Sequence, residues 1–226
     1  KCHKLKMKKQ LTIYLLLVVL ISALSGCDEQ SIAGRGPVIE MEHSVDSFQA
    51  IYLQLPARLY VRKDNEHTVR IRTNENLHDL IEVRVENQKL KLETIANTNI
   101  RRAEMLHIYI SAPQISGFFL NGAGDILVED CLGSDELTFE INGSGDVYAC
   151  GLTESLVVSI NGSGQFNGFD LEAQRAELRV SGSGDIEVAV TEYLNAVISG
   201  SGDILYKGNP EVEQRISGSG TIRRRP

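Results

Sequence analysis

Apolar and polar residues alternate along most of the chain after residue 44. The alternation is clearest in Leu137–Ile141, Leu156–Ile160 and Leu194–Ile198, where every second side chain is apolar. A period of two is typical of a strand that buries one face. Only residues 76–80 have a pattern that fits one helical turn. The sequence therefore predicts an all-β protein.

Short glycine-containing words follow these strands at nearly constant spacing. Consecutive words begin 21, 19, 20, 18 and 18 residues apart. Self-similarity at one period indicates stacked structural units. The words are NGAGDI, NGSGDV, NGSGQF, SGSGDI, SGSGDI and SGSGTI, starting at Asn121, Asn142, Asn161, Ser181, Ser199 and Ser217.

The apolar residues on either side of the words align in two columns. A unit of about 20 residues cannot bury its own apolar face, so each coil must lie on the next one. Glycine accepts positive φ and allows the chain to turn between two strands. We therefore expect a solenoid of about six coils over residues 117–226, with residues 44–116 as a β-rich N-terminal capping region. The columns are Leu120, Ile141, Ile160, Val180, Ile198 and Ile216, and Ile126, Val147, Phe166, Ile186, Ile204 and Ile222.

The N-terminal segment has the pattern of an export signal. Lysines precede an apolar run over residues 11–24, which ends in small residues before Cys27. The run is shorter than the roughly 20 residues that a membrane-spanning helix needs. We expect a signal peptide over residues 1–26, with a lipobox at 24–27 and lipidation of Cys27. Residues 27–43 are expected to form a lipidated tether.

This pattern predicts a lipid-anchored protein of the bacterial cell envelope, whose membrane partner is reached through Cys27. The pattern leaves open whether the protein faces the periplasm or the cell surface. Self-association into a homo-oligomer is also left open.

The charge of the exported part argues against nucleic acid as a partner. Residues 1–26 hold five of the 23 basic side chains and none of the 30 acidic ones, which leaves a formal charge of about −12. Affinity for nucleic acid comes from basic side chains that neutralise phosphates, whereas the net charge of the exported part is negative. The basic residues 223–225 are expected to be a frayed, solvated chain end.

Two cysteines remain after the signal peptide, Cys131 and Cys150. They are one repeat length apart, so the repeat places them on neighbouring coils. Coils stack about 4.8 Å apart, close to the Cα separation that a disulfide accepts. Outside the cytoplasm the pair can oxidise, and two buried free thiols are the alternative.

Four of the words carry an aspartate at the same position: Asp125, Asp146, Asp185 and Asp203. Stacked carboxylates make this ladder a candidate cation site. The alternative is that each aspartate closes its own turn through backbone amides. Gln165 and Thr221 interrupt the ladder, which favours the alternative. No metal or other cofactor is predicted.

The small residues inside the words are expected to pack within the corners between coils. A serine nucleophile would need a nearby base, and the histidines of the exported part lie upstream of every word. No catalytic residue is therefore predicted. The serines are Ser144, Ser163, Ser183, Ser201 and Ser219.

The order of these segments resembles the head GIN domain family of putative autotransporter adhesins. The resemblance covers about residues 44–226 and depends on Leu55-Pro56, Leu90-Lys91-Leu92, Ile108-Tyr109-Ile110 and the Gly-Ser-Gly-Asp words. It implies a right-handed β-helix-like fold, secretion or lipid anchoring, no known catalytic residues and an adhesive role.

These observations together predict a non-catalytic cell-envelope lipoprotein whose β-solenoid binds an unidentified protein or glycan. A structural or envelope-stress accessory lipoprotein is the first alternative. A cation-binding repeat protein and a polysaccharide-active enzyme are the others. Chemistry on a polysaccharide needs unlike groups that converge in one site, whereas the acids here recur with the repeat.

Overall fold

The computed structural model describes residues 30–96, 98–101 and 105–226. Within those ranges, no helix is both long enough and apolar enough to cross a membrane. The predicted signal peptide, the lipobox at 24–27 and Cys27 lie outside the described residues.

The described chain folds into strands and one short helix. A 3₁₀ helix occupies Glu75–Leu80, where the sequence predicts a helical turn. The first nine strands are β1 Gln30–Ala33, β2 Val38–His43, β3 Ala50–Gln54, β4 Arg58–Lys63, β5 Thr68–Asn74, β6 Ile81–Glu86, β7 Lys89–Thr94, β8 Thr98–Arg101 and β9 Leu106–Ala112. The remaining strands are β10 Gly117–Gly122, β11 Asp125–Val128, β12 Leu132–Gly143, β13 Asp146–Gly162, β14 Gln165–Gly182, β15 Asp185–Gly200, β16 Ile204–Lys207, β17 Glu211–Gly218 and β18 Ile222–Arg224.

Parallel pairing between successive coils dominates the structure. Each long strand from β12 to β15 pairs in parallel with a strand of the coil before it and with a strand of the coil after it. The register joins equivalent residues of neighbouring words, for example Ile141 with Ile160 and Val147 with Phe166. Six corners delimit about five full turns. The predicted all-β solenoid is confirmed.

The two predicted columns form the core. Five of the six members of the first column are at most 1% exposed. Aromatic residues also pack in the core, where the rings of Phe118 and Phe139 stack with centroids 4.8 Å apart. Phe166 lies at the same centroid distance from Phe139. Burial of these side chains supplies most of the driving force for stacking.

The stack extends further toward the N-terminus than residue 117. Strand β3 pairs in parallel with β10, and β4 pairs in parallel with β11. Leu53 and Leu59 take the places of Leu120 and Ile126, so the intervening Leu55-Pro56-Ala57 forms an additional corner. This corner has no glycine, which is why the search for glycine words misses it. The spacing of six residues between Leu53 and Leu59 is the signal that could have found it.

Antiparallel strands close the N-terminal end of the stack. Strands β7 and β9 continue the parallel stack below β3 and β4. Strand β6 then turns back on β7, and β5 pairs antiparallel with both β9 and β2. The N-terminal region therefore contributes coils to the solenoid and also closes its end.

The predicted tether over residues 27–43 is wrong from residue 30 onward. Strand β1 pairs with β8, and β2 pairs with β5. Asparagine side chains hold the connection between them: Asn76 Oδ1 accepts the Arg35 N–H at 2.6 Å, and Asn76 Nδ2 donates to Ala33 O at 3.1 Å. Asn74 Nδ2 donates to Gly36 O. These partners are about 40 residues away in sequence, so local composition did not reveal them.

The basic chain end is also not frayed. Strand β18 pairs with β16, and the Arg225 N–H donates to Tyr206 O at 2.7 Å. The guanidinium of Arg225 lies 5.3 Å from the ring centroid of Phe169 and forms an ion pair with Glu187. The terminal arginines are exposed, but their side chains fold back on their own chain.

Cys131 and Cys150 form a disulfide between neighbouring coils. Their Cα atoms are 4.7 Å apart, which matches the separation of stacked coils. The bond closes a short loop, since the two residues are 19 positions apart. A loop of this size is expected to stabilise the fold by about 3 kcal/mol through the unfolded state.

Glycine substitutions test whether backbone approach fixes the corners. Gly162 has a φ of +137°, and a Cβ there would lie 2.2 Å from Gly143 O. We expect Gly162→Ala to reduce the free energy of unfolding by about 1–3 kcal/mol or more. Gly122 also has positive φ but has open space around it, so Gly122→Ala is expected to cost less. Urea unfolding measures both changes.

Gly133 provides the matched control for these variants. A Cβ at Gly133 meets no atom within 4 Å, so Gly133→Ala is expected to stay within about 0.5 kcal/mol of the wild type. Equal losses for Gly162→Ala and Gly133→Ala would contradict the argument from backbone approach.

Candidate functional site

The six words lie above one another and form a polar stripe along one corner of the solenoid, called the corner stripe here. It has three parallel rows, one for each polar position of the word. The first row is Asn121, Asn142, Asn161, Ser181, Ser199 and Ser217; the second is Ala123, Ser144, Ser163, Ser183, Ser201 and Ser219; the third is Asp125, Asp146, Gln165, Asp185, Asp203 and Thr221.

The serines of the second row face solvent. All five are exposed, as is Ala123. The expectation that they pack inside the corner is therefore wrong. Their backbone carries the structural role: the N–H of Ser163 donates to Gly143 O at 2.8 Å, and Ser183 repeats the bond to Gly162 O at 2.8 Å. The hydroxyls are left on the surface.

The second glycine of each word is the residue inside the corner. Gly145 and Gly164 are buried. A Cβ on Gly145 would lie 1.9 Å from Gly124 O, so no larger residue fits. Because glycine occupies the inner position, the serine side chain beside it points outward. Sequence alternation alone does not distinguish these two small residues.

The aspartates of the third row connect one coil to the next. Asp146 Oδ1 accepts the backbone N–H of Gln165 at 3.1 Å, and Asp185 Oδ1 accepts that of Asp203 at 2.7 Å. Each of these carboxylates therefore accepts a hydrogen bond from the following coil. The alternative predicted from the sequence was that each aspartate closes its own turn. Gln165 interrupts the row and has no carboxylate. The N–H of Asp185 in the following coil therefore donates to the backbone oxygen of Gly164 instead.

Arginines flank the aspartate row at both ends. Arg58 of β4 is the register partner of Asp125, and their side chains are 3.4 Å apart. At the other end, Arg223 lies 3.4 Å from Asp203. Both pairs are substantially exposed, so each contributes little to stability. They do balance charge at the ends of the row.

Two aspartates of the row have shifted pKa values of opposite sign. Burial raises the pKa of Asp146, and the neighbouring Asp125 carboxylate adds to this, although the bond from Gln165 opposes it. Hydrogen bonds from the hydroxyl and the N–H of Thr221 lower the pKa of Asp203. The hydroxyl bond is 2.7 Å and the N–H bond is 2.8 Å.

The described residues do not gather ligands for a metal ion. Within residues 30–96, 98–101 and 105–226, no group of three or more histidine, cysteine or acidic side chains is arranged to hold one. Four of the six words present one aspartate each, and the Oδ1 atom of each aspartate accepts a backbone N–H from the following coil. The stacking role accounts for the aspartates without a cation.

One histidine lies closer to the corner stripe than the sequence indicated. His107 is the register partner of Arg58, which in turn pairs with Asp125. Partial burial lowers the pKa of His107, and the charges of Arg58 and Arg72 lower it further. In the described part of the chain, His107 forms no hydrogen bond with a serine of the second row. Among the described residues, no hydrogen bond therefore joins a second-row serine to a histidine.

An open cleft of about 420 Å³ adjoins the N-terminal end of the corner stripe. Strand β8 forms one wall through Thr98, Asn99 and Ile100, and the first two corners form the other. Asn121 belongs both to the cleft and to the first row. Its lining among the described residues is mainly amide, hydroxyl and apolar, without a charged group. The cleft suits hydrogen bonding to a neutral ligand group more than acid or base chemistry.

Aromatic side chains line an outward face beside this corner. Tyr60 and Tyr109 stack on each other with ring centroids 5.1 Å apart and an interplanar angle of 13°. Arg70 covers the Tyr109 ring at 5.7 Å from its centroid. A sugar therefore cannot stack on the faces that the two tyrosines share. This row stabilises the junction between coils.

Comparison with known proteins identifies the family. The family model described as "Putative auto-transporter adhesin, head GIN domain" matches residues 47–210, which is more than half of the chain. The chain belongs to this family. The resemblance deduced from the words and the preceding strands is confirmed. No curated protein matches the chain significantly.

Solved structures show the same fold. A "putative adhesin" from Bacteroides fragilis has a TM-score of 0.72 and 24% identity, covering 85% of this chain and 99% of that chain. A "putative lipid binding protein" from Parabacteroides distasonis has a TM-score of 0.57 and 24% identity over 87% of this chain and 100% of that chain. A "putative adhesin" from Parabacteroides merdae has a TM-score of 0.53 and 20% identity, covering 87% of this chain and 99% of that chain. The adhesin-like family implies a location at the cell envelope or surface.

Acid titration tests the role of Asp203. Because its folded pKa is lowered, ionised Asp203 stabilises the fold fully above the ordinary aspartate pKa, and this stabilisation is lost as the pH falls through the lowered folded value. The pKa of Asp146 is raised in the folded state, so the destabilisation caused by its ionised carboxylate decreases as the pH falls. We expect Asp203→Asn to flatten the acid limb of a plot of urea midpoint against pH. An unchanged acid limb would contradict the role assigned to the carboxylate.

Calcium addition tests the cation hypothesis directly. Since the carboxylates already accept backbone N–H groups, we expect calcium to leave the melting temperature unchanged. A ligand that binds only the folded state raises the melting temperature by mass action. The double variant Asp146→Asn, Asp185→Asn is the control. A rise in the wild type that disappears in this variant would establish a cation site.

Proposed function

We propose that this protein is a lipid-anchored, non-catalytic component of the bacterial cell envelope that binds an extended protein or glycan along the corner stripe. The observation that carries the proposal is the exposed second row of the stripe. It presents one hydroxyl in five of the six words, on backbone that is hydrogen-bonded from coil to coil.

The geometry of the stripe suits an elongated ligand. Successive coils are about 4.8 Å apart, so the same hydroxyl, amide and carboxylate groups recur at that interval. Stacked strands hold these groups in place, which lowers the entropy lost on binding. Catalysis instead requires unlike groups that converge in a concave, partly dry site. The described residues present rows of like groups along this corner.

The location rests on two independent supports. The family is adhesin-like, and the N-terminal sequence has a positively charged start, an apolar run and small residues before Cys27. A lipid at Cys27 would hold the domain at a membrane surface. From there the corner stripe can meet a ligand outside the membrane.

Binding measurements with two matched double variants test the proposal. Ser163→Arg with Ser183→Arg places bulky charged side chains at exposed positions of the corner stripe. Ser155→Arg with Ser159→Arg places the same side chains on the outward side of strand β13, which is called the flat face. The wild-type chain and both variants are applied to arrays of glycans, extracellular-matrix proteins and peptidoglycan, and the polysaccharides are analysed for cleavage products.

We expect the wild type to bind one class of extended ligand without cleaving it. The corner variant should lose at least tenfold in affinity, and the flat-face variant should retain it. Thermal unfolding of both variants controls for misfolding. Equal loss in the two variants, cleavage of a polysaccharide, or binding to none of the ligands would refute the proposal.

A further inference from the structure

Within the described residues, no antiparallel strand covers the C-terminal end of the solenoid as β5 and β6 do at the N-terminal end. Ile216 belongs to the first core column but is 45% exposed, although the other members of that column are at most 1% exposed. Val212 and Ile222 are only partly buried against the core. Strand β17 pairs only with β15, so within the described residues its second edge has no hydrogen-bonding partner.

We propose that a second copy of this chain covers this end by pairing its β17 antiparallel with β17 of the first copy, across a two-fold axis at Gln214. An isologous contact of this kind pairs the free edge of β17 in both copies and closes without repeating. The pairing places the N-terminal ends of the two copies at opposite ends of the dimer.

The inward side chains of β17 complement their own copies in this arrangement. Val212, Gln214 and Ile216 occupy the columns of Leu194, Ala196 and Ile198. A two-fold axis at Gln214 places Val212 opposite Ile216 of the second copy. The two Gln214 amides then face each other and can hydrogen-bond, since each carries donors and an acceptor. The apolar core would continue through the contact.

The outward side chains are complementary in charge. The same axis places Glu213 opposite Arg215 of the second copy, and the pair occurs twice. Arg215 forms no ion pair within the described part of the chain. Glu213 accepts a hydrogen bond from Tyr193, which raises the pKa of that tyrosine. A carboxylate has further acceptor positions and can take the arginine as well.

Neighbouring registers lose this match. Moving the axis by one residue to Arg215 places Ile216 opposite Gln214 and leaves Glu213 facing Ser217. The same axis would also place Arg215 opposite Arg215 of the second copy, so the identity of the opposed side chains favours the axis at Gln214. Charge does not block the contact, because Arg223 and Arg224 bond to Asp203 and Asn209 of their own chain.

Pairing of this end with the N-terminal end is less favourable. There, strand β6 carries a cluster in which Arg84 forms ion pairs with Glu82, Glu86 and Glu93. A strand added to that edge would meet charged side chains already paired with one another. Such a head-to-tail contact would also repeat without closing and give filaments.

Cysteine cross-linking of the full chain tests the two-fold axis. Directly opposed residues of antiparallel strands have Cα atoms about 4.5 or 5.5 Å apart, which a disulfide accepts. Gln214→Cys is purified from membranes in detergent and treated with copper phenanthroline. We expect disulfide-linked dimers on a non-reducing gel, at least tenfold more than for Ser159→Cys, whose thiol lies on the flat face. The wild type gives the background from its own cysteines.

A charge exchange tests the register. Glu213→Lys and Arg215→Glu, each combined with Gln214→Cys, should reduce cross-linking at least fivefold because like charges then face each other. Combining both changes should restore it. Circular dichroism of every variant monitors folding. Absence of a Gln214→Cys dimer, equal cross-linking at Ser159→Cys, or a double exchange no better than the single ones would overturn the proposal.

Discussion

The close approach of neighbouring main chains at one corner is the constraint on which this structure depends. At Gly145 the backbone of the previous coil lies so near that a Cβ would be 1.9 Å from a carbonyl oxygen. The approach allows the serine N–H of one word to reach the first glycine of the word before it. Parallel pairing along the flat faces keeps the coils in register, and the two core columns follow from that register.

The same constraint determines which side chains are available for binding. Since glycine fills the inside of the corner, the serine between the two glycines is directed to solvent. The aspartate that follows is partly used for stacking, because its carboxylate accepts an N–H from the next coil. Exposed hydroxyls next to structurally engaged carboxylates give a surface that is polar and fixed in position. This combination, together with membership of an adhesin-like family, supports a binding role.

The two ends of the solenoid differ in how they manage the exposed core and the unpaired strand edges that every stack has. The N-terminal end turns back on itself through antiparallel strands, and the Asn74 and Asn76 side chains hold the segment that leads into β2. The C-terminal end leaves Ile216 exposed and substitutes Gln214 in the column of Ala196. The Gln214 side chain can remain hydrated in a single copy. In a dimer, the two Gln214 amides can hydrogen-bond to each other.

The sequence by itself determined the all-β class, the period, the two core columns and the proximity of Cys131 and Cys150, because side-chain alternation and regular spacing are local properties that stacking preserves. The tertiary structure decided the rest. The corner at Leu55-Pro56-Ala57 has no glycine, so it became visible only through its pairing with the first word. Strand β2 depends on its antiparallel pairing with β5, which is distant in sequence. The outward direction of the serines and the bond from each aspartate to the following coil depend on the distance between main chains, and no single repeat encodes that distance.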